Sequence, residues 1–114
     1  MKAISVDELK RVSVEALRKA GLTAEDAAAA AEVLVTTDTF GVLSHGTKNL
    51  YPYILKMQAG GLNAAAQPTV EKEGPSWAIV NGNNSLGMLS GCKAMELAIE
   101  KAKKTGIAYV GVHD

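Results

Sequence analysis

The sequence predicts an α/β fold in which a three-helix region, residues 1–62, precedes an α/β region, residues 63–114. The first half carries apolar side chains at helical spacing, interrupted by capping residues and glycines. After residue 68 the pattern changes to short β-prone runs, then to an amphipathic helical run and a final apolar run. This order predicts a β-hairpin followed by a β-α-β unit.

Each of the first two helices begins with a capping signal. Ser5 and Glu8 are spaced as in a capping box, in which the hydroxyl and the carboxylate each accept a hydrogen bond from a backbone N–H. Gly21 is suited to end this helix in the left-handed conformation. Thr23 is suited to cap the second helix, which should end before Gly41. The inward side of the first helix is expected to comprise Leu9, Val12, Ala16, Leu17 and Ala20.

The second half predicts two strands, a helix and a third strand. Residues 69–73 and 77–81 are β-prone runs separated by Gly-Pro-Ser, which predicts a hairpin. A helix should follow the polar segment 81–85 and run to about Lys104. Residues 107–112 are apolar apart from one glycine, which is typical of a parallel strand buried on both faces. The inward side of the helix is expected to comprise Met88, Cys92, Met95, Ile99 and Ala102.

The composition excludes several classes of partner. Twelve basic and twelve acidic residues give zero net charge, so no long-range field attracts nucleic acid or an anionic membrane. Two histidines and one cysteine lie far apart and provide no metal-site spacing. Cys92 has no second cysteine with which to form a disulfide, and the N-terminus lacks an apolar run of signal-peptide length. We therefore expect no nucleic acid, membrane or metal as partner, and a cytoplasmic location.

Residues 41–53 concentrate the chemistry of the chain, because an imidazole, an ammonium, an amide and two phenols lie there between helical segments. Two glycines disfavour helix in the first half of this stretch, and Ser44 or Thr47 is suited to cap the helix that follows. His45 and Lys48 are therefore placed at a helix start, where backbone N–H groups and the helix dipole favour an anion such as a carboxylate.

Both residues also have a purely structural interpretation. His45 is equally compatible with a structural histidine whose ring bonds a neighbouring turn. Lys48 is equally compatible with a solvated surface charge. The residues alone leave these alternatives open.

An ordered set of short segments resembles the malate/L-lactate dehydrogenase family of NAD(P)-dependent oxidoreductases, which includes ureidoglycolate and diketogulonate enzymes. The central segment is Gly-Val-Leu-Ser-His-Gly at residues 41–46, followed by a basic residue. The flanking segments lie at residues 27–28, 32–34, 52–54, 60–62, 81–82, 86–87, 94–99 and 104–107. The resemblance covers the whole chain.

The resemblance implies roles for four residues of this stretch. His45 matches the motif histidine of the active site, which would give a proton to the substrate carbonyl oxygen and take it back in the reverse direction. An imidazole suits both steps, since its ordinary pKa is about 6.5. Tyr53 matches a tyrosine close to the substrate. Asn49 stands where many members carry an arginine that grips a carboxylate, so a generic 2-hydroxy or 2-oxo acid is expected as substrate, with Lys48 as the adjacent point charge.

Residues 82–87, Cys92 and His113 are not assigned to the active site. Residues 82–87 have the glycine spacing of a P-loop, but two apolar residues stand where lysine and serine or threonine are required. We interpret this segment as a strand-to-helix turn in which Gly87 allows close packing. Cys92 has no histidine nearby and is interpreted as a small core residue. His113 is given no catalytic role.

We expect the chain to be the N-terminal segment of a longer enzyme. In the resembling family the chain continues into a larger NAD(P)-binding fold that is not a Rossmann fold, so the residues that hold NAD or NADP are expected beyond residue 114. The resemblance also implies a homodimer. The 114-residue chain alone should then be inactive. The alternative is a complete, non-catalytic α/β interaction module that binds a partner through an exposed sheet edge.

Overall fold

The computed structural model describes residues 2–114, which form two compact units that divide between Ala65 and Ala66. The first unit contains α1 (Val6–Lys19), α2 (Ala24–Thr39), a 3₁₀ turn (Thr47–Asn49) and α3 (Leu50–Gln58). The second contains β1 (Thr69–Glu73), β2 (Trp77–Asn81), α4 (Gly87–Thr105) and β3 (Tyr109–His113). The predicted α/β class and the order of the elements are confirmed.

Helix α1 is capped as predicted by Ser5, whose Oγ accepts the Glu8 N–H at 3.1 Å. The second half of the predicted capping box is wrong. The Glu8 carboxylate accepts hydrogen bonds from the Arg11 guanidinium, at 2.7 and 3.0 Å, because an ion pair one turn along the helix competes with the backbone N–H.

The inward side of α1 also differs from the prediction. Val12 is 42% exposed, whereas Ser13 is fully buried and its Oγ donates to the Leu9 carbonyl oxygen at 2.7 Å. A satisfied serine hydroxyl is small enough to lie where α1 packs against the alanine-rich helix α2. The core of this unit is formed by Leu17, Leu22, Ala27, Ala30, Ala31, Leu34 and Val35.

Gly21 ends α1 as predicted. Its φ is +113°, a conformation that favours glycine, and its N–H donates to the Arg18 carbonyl oxygen at 3.0 Å. The next N–H, from Leu22, donates to the Leu17 carbonyl oxygen at 3.1 Å, which completes a Schellman motif. Leu22 is buried beside it. Thr23 then caps α2 by accepting the Asp26 N–H at 3.1 Å, also as predicted.

The sheet has the order β1-β2-β3. Strands β1 and β2 pair antiparallel with a register shift between Val70 and Lys72, and β2 pairs parallel with β3, so the hairpin and the parallel crossover are confirmed. The prediction that the last strand is buried on both faces is wrong. Tyr109 is 76% exposed, and Ile107 lies outside the strand. The helix that packs on β2 and β3 is α4, and a single helix covers only one face of the sheet.

Helix α4 covers the sheet with a different face from the one predicted. Met95 is 61% exposed and Ile99 is 48% exposed, whereas Leu89, Ser90 and Ala94 are buried. The buried face includes polar and small side chains because α4 lies close to β2 and β3. A pattern based on the largest apolar side chains therefore selects the wrong side of this helix. Met88, Cys92 and Ala102 are half-buried.

Candidate functional site

His45 lies in a tight turn between α2 and the 3₁₀ turn. Its backbone N–H donates to the Val42 carbonyl oxygen at 3.0 Å, while its side chain is exposed. The ring Nδ1 lies 2.8 Å from the Ser44 Oγ. Within residues 2–114 no hydrogen bond reaches the other ring nitrogen, Nε2. Nδ1 of the imidazole is therefore in contact with Ser44, whereas Nε2 is open to solvent or to a ligand.

Asp38, in the last turn of α2, holds the segment that follows His45. Its Oδ2 accepts the Thr47 backbone N–H at 3.0 Å and also accepts the Thr47 hydroxyl. A Cβ added at Gly46 would lie 1.7 Å from the Asp38 Oδ1, so the glycine is required for this close approach. The predicted cap by Ser44 or Thr47 is wrong, because this carboxylate takes the place of a local hydroxyl.

Sequence reasoning missed Asp38, although the sequence carries a signal for it. A carboxylate in the last turn of a helix faces the negative end of the helix dipole, which disfavours it. The last turn of α2 contains no basic residue to offset that charge. An acidic residue in such a position indicates a partner outside the helix.

Asn49 holds the backbone that precedes His45. Its Nδ2 donates to the Ser44 carbonyl oxygen at 2.9 Å, and its backbone N–H donates to the Gly46 carbonyl oxygen at 3.0 Å. Asn49 therefore contacts the backbone of Ser44, the residue that precedes His45. One of the two N–H groups of the Asn49 side chain is occupied by this contact.

Lys48 and Tyr53 lie on the segment after His45. Lys48 is exposed on the 3₁₀ turn and Tyr53 is half-buried in the second turn of α3. In the part of the chain that the structure describes, neither side chain makes a hydrogen bond to His45. Pro52 is the third residue of α3, where its missing N–H breaks no bond within the helix.

Residues 82–85, the first part of the loop between β2 and α4, offer no backbone donor to a nucleotide phosphate. A phosphate cradle needs free backbone N–H groups, and here four successive ones are bonded to protein acceptors. The pairs are Gly82 with the His113 carbonyl at 2.8 Å, Asn83 with the Asn81 Oδ1 at 2.8 Å, Asn84 with the Asp114 carbonyl at 3.0 Å, and Ser85 with the Gly82 carbonyl at 2.9 Å. We assign no residue of this loop to a cofactor.

The glycine that this loop requires for packing is not the predicted one. A Cβ at Gly87 would meet nothing within 4 Å, whereas a Cβ at Gly82 would lie 2.4 Å from the Asp114 carbonyl oxygen and 2.6 Å from the Ser90 Oγ. Close packing occurs at Gly82 because the parallel pairing of β2 with β3, with Asn81 opposite His113, places Asp114 beside Gly82.

His113 forms a separate polar cluster across the sheet. Its Nε2 lies 2.7 Å from the Glu71 Oε2 and its Nδ1 lies 2.9 Å from the Asp114 Oδ2. The Asp114 carboxylate, followed by that of Glu71, raises the pKa of His113 above its ordinary value. Among residues 2–114, no group of three or more histidine, cysteine, aspartate or glutamate side chains is arranged to hold a metal ion. No helix in the same residues is long and apolar enough to cross a membrane.

Comparison with known proteins places these features in a family. The family described as malate/L-lactate dehydrogenase matches residues 4–114. Malate dehydrogenase from Pyrococcus abyssi is 41% identical over 111 residues, which are 97% of this chain and 31% of that protein. Malate/(S)-sulfolactate dehydrogenase from Methanothermus fervidus is 38% identical over 111 residues, which are 97% of this chain and 33% of that protein.

A solved structure shows the same likeness. The malate dehydrogenase of Pyrococcus horikoshii OT3 matches with a TM-score of 0.92 and 38% identity, over 99% of this chain and 33% of that one. The chain spans about a third of the length of the curated relatives it matches. Because the match runs from residue 4 to residue 114, the chain belongs to the malate/L-lactate dehydrogenase family.

Proposed function

We propose that this chain is the N-terminal part of an oxidoreductase that transfers a hydride between a nicotinamide cofactor and a small 2-hydroxy or 2-oxo acid. The observation that carries this proposal is the match of residues 4–114 to the family, with relatives named as malate and sulfolactate dehydrogenases. An exposed histidine on a rigidly bonded turn agrees with it. The alternative of a non-catalytic interaction module has no comparable support.

In this proposal His45 is the catalytic acid and base. When Nδ1–H donates to the Ser44 hydroxyl oxygen, the ring keeps that proton throughout, and the imidazolium form carries a second proton on Nε2. Giving the Nε2 proton to a substrate carbonyl oxygen leaves the neutral ring with a free lone pair on Nε2. In the reverse direction Nε2 accepts the proton of a substrate hydroxyl. Ser44 then orients the ring and selects its tautomer.

Lys48, Asn49 and Tyr53 are proposed to bind the substrate. Lys48 supplies a positive charge for the carboxylate, as a point charge without the planar fork of an arginine. Asn49 has one side-chain N–H left after its bond to the Ser44 carbonyl, so it can donate a single hydrogen bond. Such a site holds a 2-hydroxy or 2-oxo acid less selectively than a bidentate arginine does.

NAD or NADP is proposed as the hydride carrier, and no residue of this chain is assigned to it. The four occupied N–H groups of the loop that follows β2 support this, since they have no donor left for a phosphate. We propose a larger, non-Rossmann cofactor fold as the setting of this chain. A homodimer in the cytoplasm is proposed as its working form, and the single free cysteine, Cys92, is compatible with a reducing compartment.

The test is a chimera in which this chain replaces the matching third of the Pyrococcus horikoshii malate dehydrogenase. We expect malate-dependent reduction of NAD or NADP, and a fall in kcat of about 10²–10⁴-fold in the His45→Ala variant, the usual scale for a positioned general acid. Lys56→Ala, a change at an exposed cation of α3, is the control and should leave kcat unchanged. A folded His45→Ala chimera with normal kcat would remove His45 from the catalytic role.

A further inference from the structure

We infer that Asp38 is a positioning residue for His45, which it holds in place by binding Thr47 and closing against Gly46. Asp38 does not touch the histidine ring through any contact that the structure records, so its action runs through the backbone. The link to catalysis rests on the proposed function, while the link to the geometry of His45 does not.

The carboxylate of Asp38 contacts two successive residues, Gly46 and Thr47. Oδ2 accepts both the backbone N–H and the hydroxyl of Thr47, two residues after His45. Hydrogen bonds to an ionised acceptor are stronger than neutral ones. The other oxygen, Oδ1, faces Gly46 so closely that any side chain there would overlap it. One side chain therefore fixes both residues that follow the histidine.

The backbone is also held on the N-terminal side of His45. The Ser44 carbonyl oxygen accepts a hydrogen bond from Asn49, and the His45 N–H donates to the Val42 carbonyl oxygen. With Asp38 acting after the histidine and Asn49 before it, the Cα of His45 has little freedom. The contact with the Ser44 Oγ acts on the ring itself, and the fixed backbone determines the point from which the ring extends.

The carboxylate of Asp38 lies where the helix dipole disfavours a negative charge. Asp38 stands at the negative end of α2, without a basic residue in that turn. A threonine or an asparagine there would avoid the repulsion from the dipole. The contact with Thr47 and Gly46 offsets this cost and gives the carboxylate a function that a helix end does not require.

Nuclear magnetic resonance of the 114-residue chain tests the positioning without any turnover. The readouts are the hydrogen exchange of the Thr47 amide and the ¹⁵N signals of the His45 ring. In Asp38→Ala we expect roughly tenfold or greater acceleration of Thr47 exchange and averaging of the His45 ring signals, because the local opening becomes easier. Asp38→Asn keeps an acceptor oxygen, so Thr47 exchange should stay slow and the His45 ring signals should change little. The ring signals of His113 should not change and serve as the internal reference.

Two further variants keep the inference open to refutation if Asp38→Ala does not fold. Thr47→Val removes one donor and retains volume, and it should loosen the His45 ring in the same way. Gly46→Ala alone should strongly accelerate Thr47 exchange and average the His45 ring signals. In combination with Asp38→Ala, which removes the overlapping oxygen, it should change them less, so the effects of the two substitutions should not add. Asp7→Ala, at an exposed aspartate of α1, is the control. Unchanged Thr47 exchange and sharp, unmoved His45 signals in folded Asp38→Ala or Thr47→Val, or additive effects, would overturn the inference.

The chimera separates this inference from the proposed function. A fall in kcat of about tenfold to a hundredfold with little change in KM is expected for Asp38→Ala, with recovery in Asp38→Asn, since small misplacements of a catalytic group cost this much. If the His45 signals respond to Asp38 but His45→Ala is fully active, the positioning stands and the function fails. If His45→Ala is inactive but the signals do not respond, the function stands and the positioning fails.

Discussion

His45 and His113 show two ways in which a histidine is held at the surface. The ring of His45 has one neighbour, Ser44, and its place is fixed mainly through its backbone. The ring of His113 is held by two carboxylates, one on each nitrogen, and those contacts keep it charged over a wider pH range. The first arrangement leaves a nitrogen for a ligand, and the second does not.

The charge of His113 makes its side-chain contact with Glu71, which joins β3 to β1 across the sheet, depend on pH. Its folded-state pKa lies above the ordinary 6.5, so its contribution to stability is fully present below that value and is lost as the pH rises through the raised pKa. Glu71→Gln removes one of the two carboxylates and should lower the pKa of His113. The measurement is the titration of the His113 ring by nuclear magnetic resonance.

The control for this titration is Glu96→Gln, which removes an exposed carboxylate from α4. It should leave the His113 titration unchanged. A His113 titration midpoint at 6.5 in the original chain, unaltered by Glu71→Gln, would show that the cluster does not form in solution.

At the scale of elements, Lys101 connects α4 to the hairpin. Its side chain is only 13% exposed, and its Nζ donates to the Glu73 Oε2 and to the Gly74 carbonyl oxygen, both at 2.7 Å. The same turn is tight at Gly74, where a Cβ would lie 2.3 Å from the Trp77 Nε1. The turn between β1 and β2 is therefore held by the side chain of Lys101.

Replacing Lys101 should loosen this turn. We expect Lys101→Met to lower the free energy of unfolding by about 1 kcal/mol through the loss of the carbonyl hydrogen bond alone. Trp77 is the only tryptophan of the chain, so its fluorescence during urea unfolding reports on the hairpin. Lys103→Met, at an exposed position of the same helix, is the matched control. Equal midpoints for the two variants would refute the role of Lys101.

The elements also show what a sequence reveals and what it does not. Ser5, Thr23 and Gly21 act on backbone groups within a few residues, so their roles could be predicted. The bond of Asp38 to Thr47 and that of Lys101 to Gly74 join positions that only the fold brings together. The buried faces of α1 and α4 include Ser13 and Ser90, which no apolar periodicity identifies.

At the scale of the whole molecule, the third strand is the feature that bears on self-association of the isolated chain. Tyr109 is exposed on β3, beside the exposed Ile107, and among residues 2–114 no strand pairs with the outer edge of β3. Exposed apolar edges favour pairing between chains. The family motif at residues 41–46 was recognisable because it is local. An exposed sheet edge was also expected from the sequence, and the strand order shows that β3 forms one.

We therefore expect the isolated chain to self-associate as its concentration rises, as measured by sedimentation velocity. Tyr109→Lys places a charge beside the free edge and should shift the association to higher concentration. Tyr51→Lys makes the same change at an exposed position of α3 and should have no such effect. If the original chain and both variants are compact monomers at every concentration, the edge of β3 does not mediate association.

The most direct test of the central claim, that His45 gives and takes the proton, is the kcat of His45→Gln compared with that of His45→Ala in the malate dehydrogenase chimera. A glutamine amide can hydrogen-bond a carbonyl oxygen but cannot release a proton near neutral pH, so both variants should fall by about 10²–10⁴-fold. Circular dichroism confirms that both are folded. Recovery of most of the rate in His45→Gln, with the pH profile of the original chimera, would contradict the account and leave His45 as a residue that only orients the substrate.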